Sequence, residues 1–344
     1  MGTTGKILAR VRSDLAPTDK YLGEARNRRK VVNNAALSFE GTNRKYASGS
    51  IAHGTANKNA DADGGVVLDR RSRGDLGPDG DNEGPEVVVH QVREHIRPLV
   101  RKTYSDARFR LKKRAIKVTP NSPVDGEDPT VDLIVALERR DEPGLWIPNL
   151  DRNDWDASHP EKHTEIFTAG PKSLRRVRAQ VTRLAKGWNH QYGEGREALS
   201  SFHIETLVWE CIEVDMTVAE GLEEFFDHSA RELEKDDTND PADVSGPIRL
   251  QLDRATAVDR LKNAAGLMHE AFEAEAAGDD DVVREALAEL YWKNVDPPKG
   301  STSKAAWAAG LRTDNSGVGL SKTGLALGTG VVAKNTRSSG DAER

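Results

Sequence analysis

The sequence contains a single cysteine, Cys211, in 344 residues. One thiol excludes an intrachain disulfide and any zinc site built from several cysteines, and it points to a reducing compartment, the cytoplasm. Long hydrophobic runs are also missing. No stretch approaches the roughly 18 to 20 apolar residues that span a bilayer, so no membrane partner is expected. The first residues carry Lys6, Arg10, Arg12 and Asp14 instead of an apolar signal-peptide core. An excess of one charge is absent as well: 50 Lys and Arg stand against 56 Asp and Glu, a formal net charge of −6. Taken whole, that balance argues against a general binder of long nucleic acid. With 36% hydrophobic and 31% charged residues, the chain reads as folded and partly loop-rich, long enough for one large domain or two closely packed ones.

The charge is unevenly spread. Arg93 to Lys117 carries ten basic residues against Glu94 and Asp106, and Lys172 to Lys186 carries six more with no acid. The compensating acid lies later, with twelve carboxylates between Glu213 and Asp243 against Arg231 and Lys235. Such runs are commonly solvated helix faces, but two basic stretches in one chain also show where a polyphosphate could be received.

Residues 17–40 are predicted to form a helix, with Pro17 at its first turn and an approximate apolar stripe through Leu22, Ala25, Val31, Val32, Ala35 and Leu37. Val66-Val67-Leu68 is a short strand core, and 70–85, rich in Gly and Asp, is expected to be a mobile loop. Val88, Val92, Ile96, Leu99 and Val100 recur at helical spacing. Ala115–Thr119 reads as a strand, and the β-branched run Thr130–Leu137 as a buried strand by composition, with periodicity alone leaving a short helix open. The second half reads as helices over 172–192, 200–215, 217–235, 255–277 and 280–293. From Asp296 the composition turns to Gly, Ser, Thr, Lys and Ala.

The informative segment runs from Gly49-Ser50 through ten residues to Asp61-Ala62-Asp63 and then into the Val66 strand. Side chains alternate along a strand, so Asp61 and Asp63 project from one face about 7 Å apart. Two such carboxylates can chelate a hard cation such as Mg²⁺. Asp132 begins another strand; if the strands are neighbours, three acids converge, as two-metal phosphoryl transfer requires. Gly49 admits a phosphate close to the backbone, and Ser50 and Thr55 offer hydroxyls.

This pattern of Gly49-Ser50, Asp61-x-Asp63 and Asp132 resembles the active site of the polymerase-β-like nucleotidyltransferases, and within them the cGAS/DncV-like nucleotidyltransferases (CD-NTases). The segments Trp146-Ile147-Pro148-Asn149, Trp155 to His163, Arg183 to Trp188 and Leu199 to Glu205 extend the resemblance over about 16–215. It implies an α/β (α+β) nucleotidyltransferase core with a C-terminal helical lobe and a cleft between them. The expected divisions are an N-terminal arm over 1–15, the core over 16–170, the lobe over 171–295 and a flexible tail over 296–344.

Carried across by position, the resemblance makes Asp61, Asp63 and Asp132 the ligands of Mg²⁺ or Mn²⁺. Asp132 lies beside the attacking hydroxyl. Gly49 and Ser50 hold the donor's β- and γ-phosphates, with Lys186 reaching the triphosphate from the lobe. Ser201 adds a hydroxyl, and Phe202 stacks on the donor base. From the residues alone, Lys186 reads equally as a solvated helix charge, Ser201 as a helix cap and Phe202 as core.

The implied reaction joins NTPs into a cyclic or short linear oligonucleotide with release of pyrophosphate. By resemblance, bacterial members make second messengers in antiphage (CBASS) signalling, the product binds a separate effector, and a regulatory protein can be involved. Transfer to an RNA, protein or small-molecule acceptor stays open, as does a catalytically inactive nucleotide-binding module. The cysteine-rich zinc insertion of the animal cyclic GMP-AMP synthase is missing. His159 and His163 flank a proline and lack the spacing of a helical metal pair, so structural roles are expected for them; Cys211 is expected to be inert core.

Overall fold

The computed structural model describes residues 2–81, 84–140 and 142–301. The chain begins with two helices, α1 (Thr3–Leu15) and α2 (Asp19–Leu37). Then come β1 (Thr42–Ala47), the short α3 (Gly49–His53), β2 (Ala62–Leu68) and α4 (Glu86–Arg101). Strands β3 (Arg108–Leu111), β4 (Ile116–Thr119), β5 (Val131–Glu138), β6 (Leu145–Asn149) and β7 (Asp154–Ser158) complete the sheet. Helices α5 (Pro160–Thr168), α6 (Lys172–His190), α7 (Ser201–Cys211), α8 (Val218–Lys235), α9 (Arg254–Ala277) and α10 (Asp280–Leu290) follow.

The strands form one mixed seven-stranded sheet, five of them in the order β1-β2-β5-β4-β3, with β6 paired to β5 and β7 to β6 off that path. β2 and β5 run parallel at its centre, and every other pairing is antiparallel. β4 pairs with the start of β5 and β6 with its end, which leaves the start of β2 and β5 open on the face away from α2 and α4. The alternation of side chains decides what lies on each face. Leu133, Val135 and Leu137 of β5 and Ala62, Val66 and Leu68 of β2 pack with α2 and α4 in one buried cluster, while Asp63 and Asp132, one residue out of phase, face the other way.

Thr18 caps α2 by accepting from Tyr21 N at 3.1 Å, and Asp19 lies in its first turn, where the helix dipole favours an acid. Arg28 on α2 is fully buried. It pairs with Glu24 at 2.8 Å and Asp128 at 2.5 Å, and donates to Pro129 O at 2.7 Å. These bonds offset the cost of burying its charge and fix the segment that leads into β5.

A second cluster joins α6 to α10 around Trp188, Phe225, Phe226 and Met268. Within the expected N-terminal arm, residues 3–15 form helix α1, whose Leu8 and Val11 belong to this second cluster. Ile7, Leu8, Val11 and Leu15 recur every three or four residues, which is a helical stripe. Gly187 lets α1 approach α6, since a Cβ there would lie 2.3 Å from Leu15 Cδ1. The polar segment after β2 is anchored rather than free over its described part, with Leu76 and Arg70 buried. Residues 82, 83 and 302–344, including most of the expected tail, lie outside the described residues. Among the described residues no helix is long and apolar enough to cross a membrane.

Candidate active site

Two strands and one turn bring the acids together. In the parallel register of β2 with β5, Asp63 lies opposite Asp132, on strands about 4.8 Å apart. Asp61 lies two residues before Asp63, after a turn in which Asn59 takes a positive φ of 61°. Burial first, and then the charges of Asp132 and Asp61, push Asp63 up to about 7. Burial and Asp61 also raise Asp132, against the lowering effect of Lys117 and Lys112. The Asp132 Oδ1 atom is buried with no hydrogen-bond partner.

Gly49 closes the site from the other side. Its φ is +70°, and a Cβ there would lie 1.9 Å from Asp63 Oδ2. No other residue fits that position without moving the carboxylate. Ser48 N donates to Asp63 O at 3.2 Å, and Thr55 N to Ser50 O at 2.9 Å, so the Gly-Ser turn is laced to the acid strand and to its own helix end.

A cavity of about 920 Å³ is lined by Ser48, Gly49, Ser50, Asp61 and Asp63 on the sheet side and by Lys186, Ser201 and Phe202 on the helical side, with Asp132 outside the lining. Phe202 packs against His163, with ring centroids 4.8 Å apart, and against Phe167 at 5.9 Å. Ser201 is exposed at the first position of α7; the cap is Ser200, which accepts from His203 N at 3.1 Å. His163 lies in α5 and His159 caps it: Pro160 opens the helix, and His163 bonds Asp240 at 2.6 Å.

Lys186 reaches the cavity wall but is already bonded. Its ammonium donates to Glu205 Oε1 at 2.7 Å and to Thr55 Oγ1 at 3.3 Å, and His53 Nδ1 donates to Glu205 Oε2 at 2.8 Å. Thr55 Oγ1, expected to offer its hydroxyl to a phosphate, donates it to Glu205. Burial works against the Glu205 charge, yet Lys186 and His53 hold its carboxyl down at about 2. The quartet joins α3 and the following turn to α6 and α7 across the cleft.

The acids are not closed around a common point. Asp61 Oδ2 accepts from Lys117 Nζ at 2.8 Å, and its Oδ1 accepts from Thr130 Oγ1. Among the described residues no group of three or more His, Cys, Asp or Glu side chains is arranged as a metal cage. The donor set nevertheless fits a hard divalent cation. Three carboxylates lie close together, burial and then the charge of neighbouring acids raise Asp63 and Asp132, and one buried oxygen lacks any partner; a cation would relieve each.

Solved structures with the same architecture exist. CdnC of Escherichia coli MS115-1, solved with ATP, superposes with a TM-score of 0.60 at 18% identity over 83% of this chain and 96% of its own. The Bradyrhizobium diazoefficiens CD-NTase CdnG, solved with GTP, gives 0.59 at 15% identity over 82% and 97%. Vibrio cholerae DncV gives 0.58 at 12% identity over 83% and 93%. The chain has the CD-NTase fold. No protein-family model and no curated protein matches the sequence, so the likeness is one of structure.

Within this CD-NTase fold, His53, Lys117, Thr130 and Glu205 were not among the site residues expected from the sequence. Lys117 and Thr130 are met through strand pairing, which a single segment does not display. Glu205 carried a usable signal, as the one acid among Ile204, Leu207 and Val208 in a largely apolar helical run.

Proposed function

We propose that the protein is a metal-dependent nucleotidyltransferase that joins NTPs into a cyclic or short linear oligonucleotide. The observation that carries this reading is the register of Asp63 opposite Asp132, with Asp61 two residues earlier and Gly49 pressed against the Asp63 carboxylate. Asp61, Asp63 and Asp132 would hold Mg²⁺ or Mn²⁺. When bound, the metal supplies Lewis-acid polarisation of the α-phosphate and offsets the charge of the leaving pyrophosphate.

The remaining work falls to the chain itself. Gly49 and Ser50 hold the donor's terminal phosphates at the mouth of α3. A ribose hydroxyl attacks the α-phosphorus, the bond to the β-phosphate oxygen breaks, and pyrophosphate leaves. The Asp132 carboxylate, one oxygen of which has no partner of its own, would hold metal and help the attacking hydroxyl lose its proton, and burial makes it more basic than an exposed one. Phe202 offers a face to the donor base, a contact that tolerates any base, and Ser201 an exposed hydroxyl beside it.

ATP and GTP appear in the solved relatives CdnC and CdnG, which supports NTPs as substrates here. CdnC has also been solved with a HORMA protein, which supports a regulatory protein partner for this chain. A separate effector would read the product in CBASS-type antiphage signalling, in the cytoplasm.

The test is a reaction of the purified protein with Mg²⁺ or Mn²⁺ and labelled NTPs, analysed by mass spectrometry. The expected result is a phosphatase-resistant small product, absent with Asp63→Ala. Label carried instead on RNA or protein would replace this reading with transfer to a macromolecule.

A further inference from the structure

Lys117 lies on β4, opposite Asp132 of β5, and Asp132 lies opposite Asp63 of β2. Residues directly opposite on neighbouring strands share a face, so a lysine and two aspartates stand in one row across three strands. Asp61 turns into this row, and both of its carboxylate oxygens are taken by protein donors, Oδ2 by Lys117 and Oδ1 by Thr130. Asp132 Oδ1, in the same row, is buried and bonded to nothing. The ammonium therefore stands where a cation held by Asp61 has to stand, while an adjacent ligand oxygen waits without a partner.

We infer that Lys117 is an internal counter-ion of Asp61 that a divalent metal must displace. The inference rests on the metal-dependent reading above. It makes metal uptake an exchange of one cation for another, and sets the metal concentration at which the site assembles. The exchange is feasible because the Lys117 and Asp61 side chains keep 24% and 34% of their exposure, and a pair so open to water is held weakly. The Lys186–Glu205 pair, with 4% and 5%, has no such freedom.

The experiment titrates the full-length, metal-free protein with Mn²⁺ in the absence of nucleotide, following free Mn²⁺ by electron paramagnetic resonance. Asp63→Ala serves as the control for binding at this site. Lys117→Met should bind Mn²⁺ about tenfold more tightly than wild type, because a positive charge has left the site. Lys117→Arg, which keeps the charge, should stay within about twofold of wild type. Equal or weaker affinity in Lys117→Met overturns the inference and leaves the metal reading standing. Wild-type binding that is absent, or unchanged by Asp63→Ala, removes both.

Should Lys117→Met fail to fold, the wild type answers the same question. Acetylation of Lys117, followed by peptide mass spectrometry, should rise as Mn²⁺ is added and the ammonium leaves Asp61. Labelling that stays constant through saturating Mn²⁺ overturns the inference.

Discussion

Lys186 enters the cleft from the helical lobe and Lys117 from the sheet, and each is bonded to a carboxylate, at 2.7 and 2.8 Å. Distance alone would rank the two pairs as equals, but their surroundings do not. Glu205 and Lys186 are buried beside His53 and Thr55, so their charges have one another and little else. Asp61 and Lys117 share theirs with water and with Asp63 and Asp132. A buried pair becomes framework, because breaking it strands a charge in low dielectric, whereas a pair that water still reaches is an exchangeable contact. The cleft thus has a fixed end, which braces the Gly-Ser helix against α6 and α7, and an exchangeable end, where metal would enter.

The largest expected effects lie at the exchangeable end and fall on activity. Asp63→Ala and Gly49→Ala should each lower product formation on the order of 10³-fold or more, measured as pyrophosphate release. The alanine Cβ at position 49 must displace the Asp63 carboxylate. Asp63→Asn should lose as much activity, yet raise the melting temperature of the metal-free protein, since it removes a buried charge that two other acids oppose. A lower melting temperature for Asp63→Asn would mean that the acids are not in conflict without metal.

Breaking the fixed end should act on folding instead. Glu205→Ala leaves Lys186 buried without its acid, and should cost about 3 to 5 kcal/mol in denaturant unfolding. The same pair gives a pH dependence. The Glu205 carboxyl is held at about 2 against its ordinary 4.5, so its contribution is complete above pH 4.5 and is lost as pH falls toward 2. Between those limits wild type should lose about 3 kcal/mol that Glu205→Gln does not lose. Parallel pH profiles for the two proteins would show that Glu205 is not tied to Lys186 as the geometry indicates.

How much of this was legible in the sequence differs between the two ends for a physical reason. The Gly-Ser turn and Asp61-x-Asp63 lie within one segment, and alternation along a strand puts both acids on one face whatever the tertiary fold. That Asp132 lies opposite Asp63 depends on the pairing of β2 with β5, strands separated by α4, β3 and β4, and no local pattern sets that register. The pairing of Lys117 with Asp61 depends on one further register, so it was not legible at all. Strands β1, β3, β6 and β7 were missed because they are short and, as in Thr42–Ala47 and Arg108–Leu111, charged. Helices α1 and α5 had readable signals, a three-to-four spacing in one and Pro160 at the first helical position in the other.

Helix α1 extends the contrast beyond the cleft. It is counted with the framework because Leu8 is buried among the lobe helices, and Lys58 N, in the turn before Asp61, donates to Leu15 O at 2.9 Å. Leu8→Ala should cost about 2 to 3 kcal/mol by denaturant unfolding. A cost near zero would mean that α1 does not belong to the framework.

The smallest effect is the most discriminating. In metal-free protein, a double-mutant cycle with Asp61→Asn and Lys117→Met should give a coupling of about 0.5 kcal/mol that fades at 1 M salt. The cycle with Glu205→Gln and Lys186→Met should give about 2 kcal/mol or more and persist in salt, because burial excludes the screening ions. Equal couplings would break the division between a fixed and an exchangeable end. Lys117 would then hold Asp61 as firmly as Lys186 holds Glu205, and a metal could reach that carboxylate only at the expense of the fold. A small, salt-sensitive coupling at Lys117 means instead that the sheet supplies a removable cation where three acids meet. The fold can then form before metal arrives without closing the site to it.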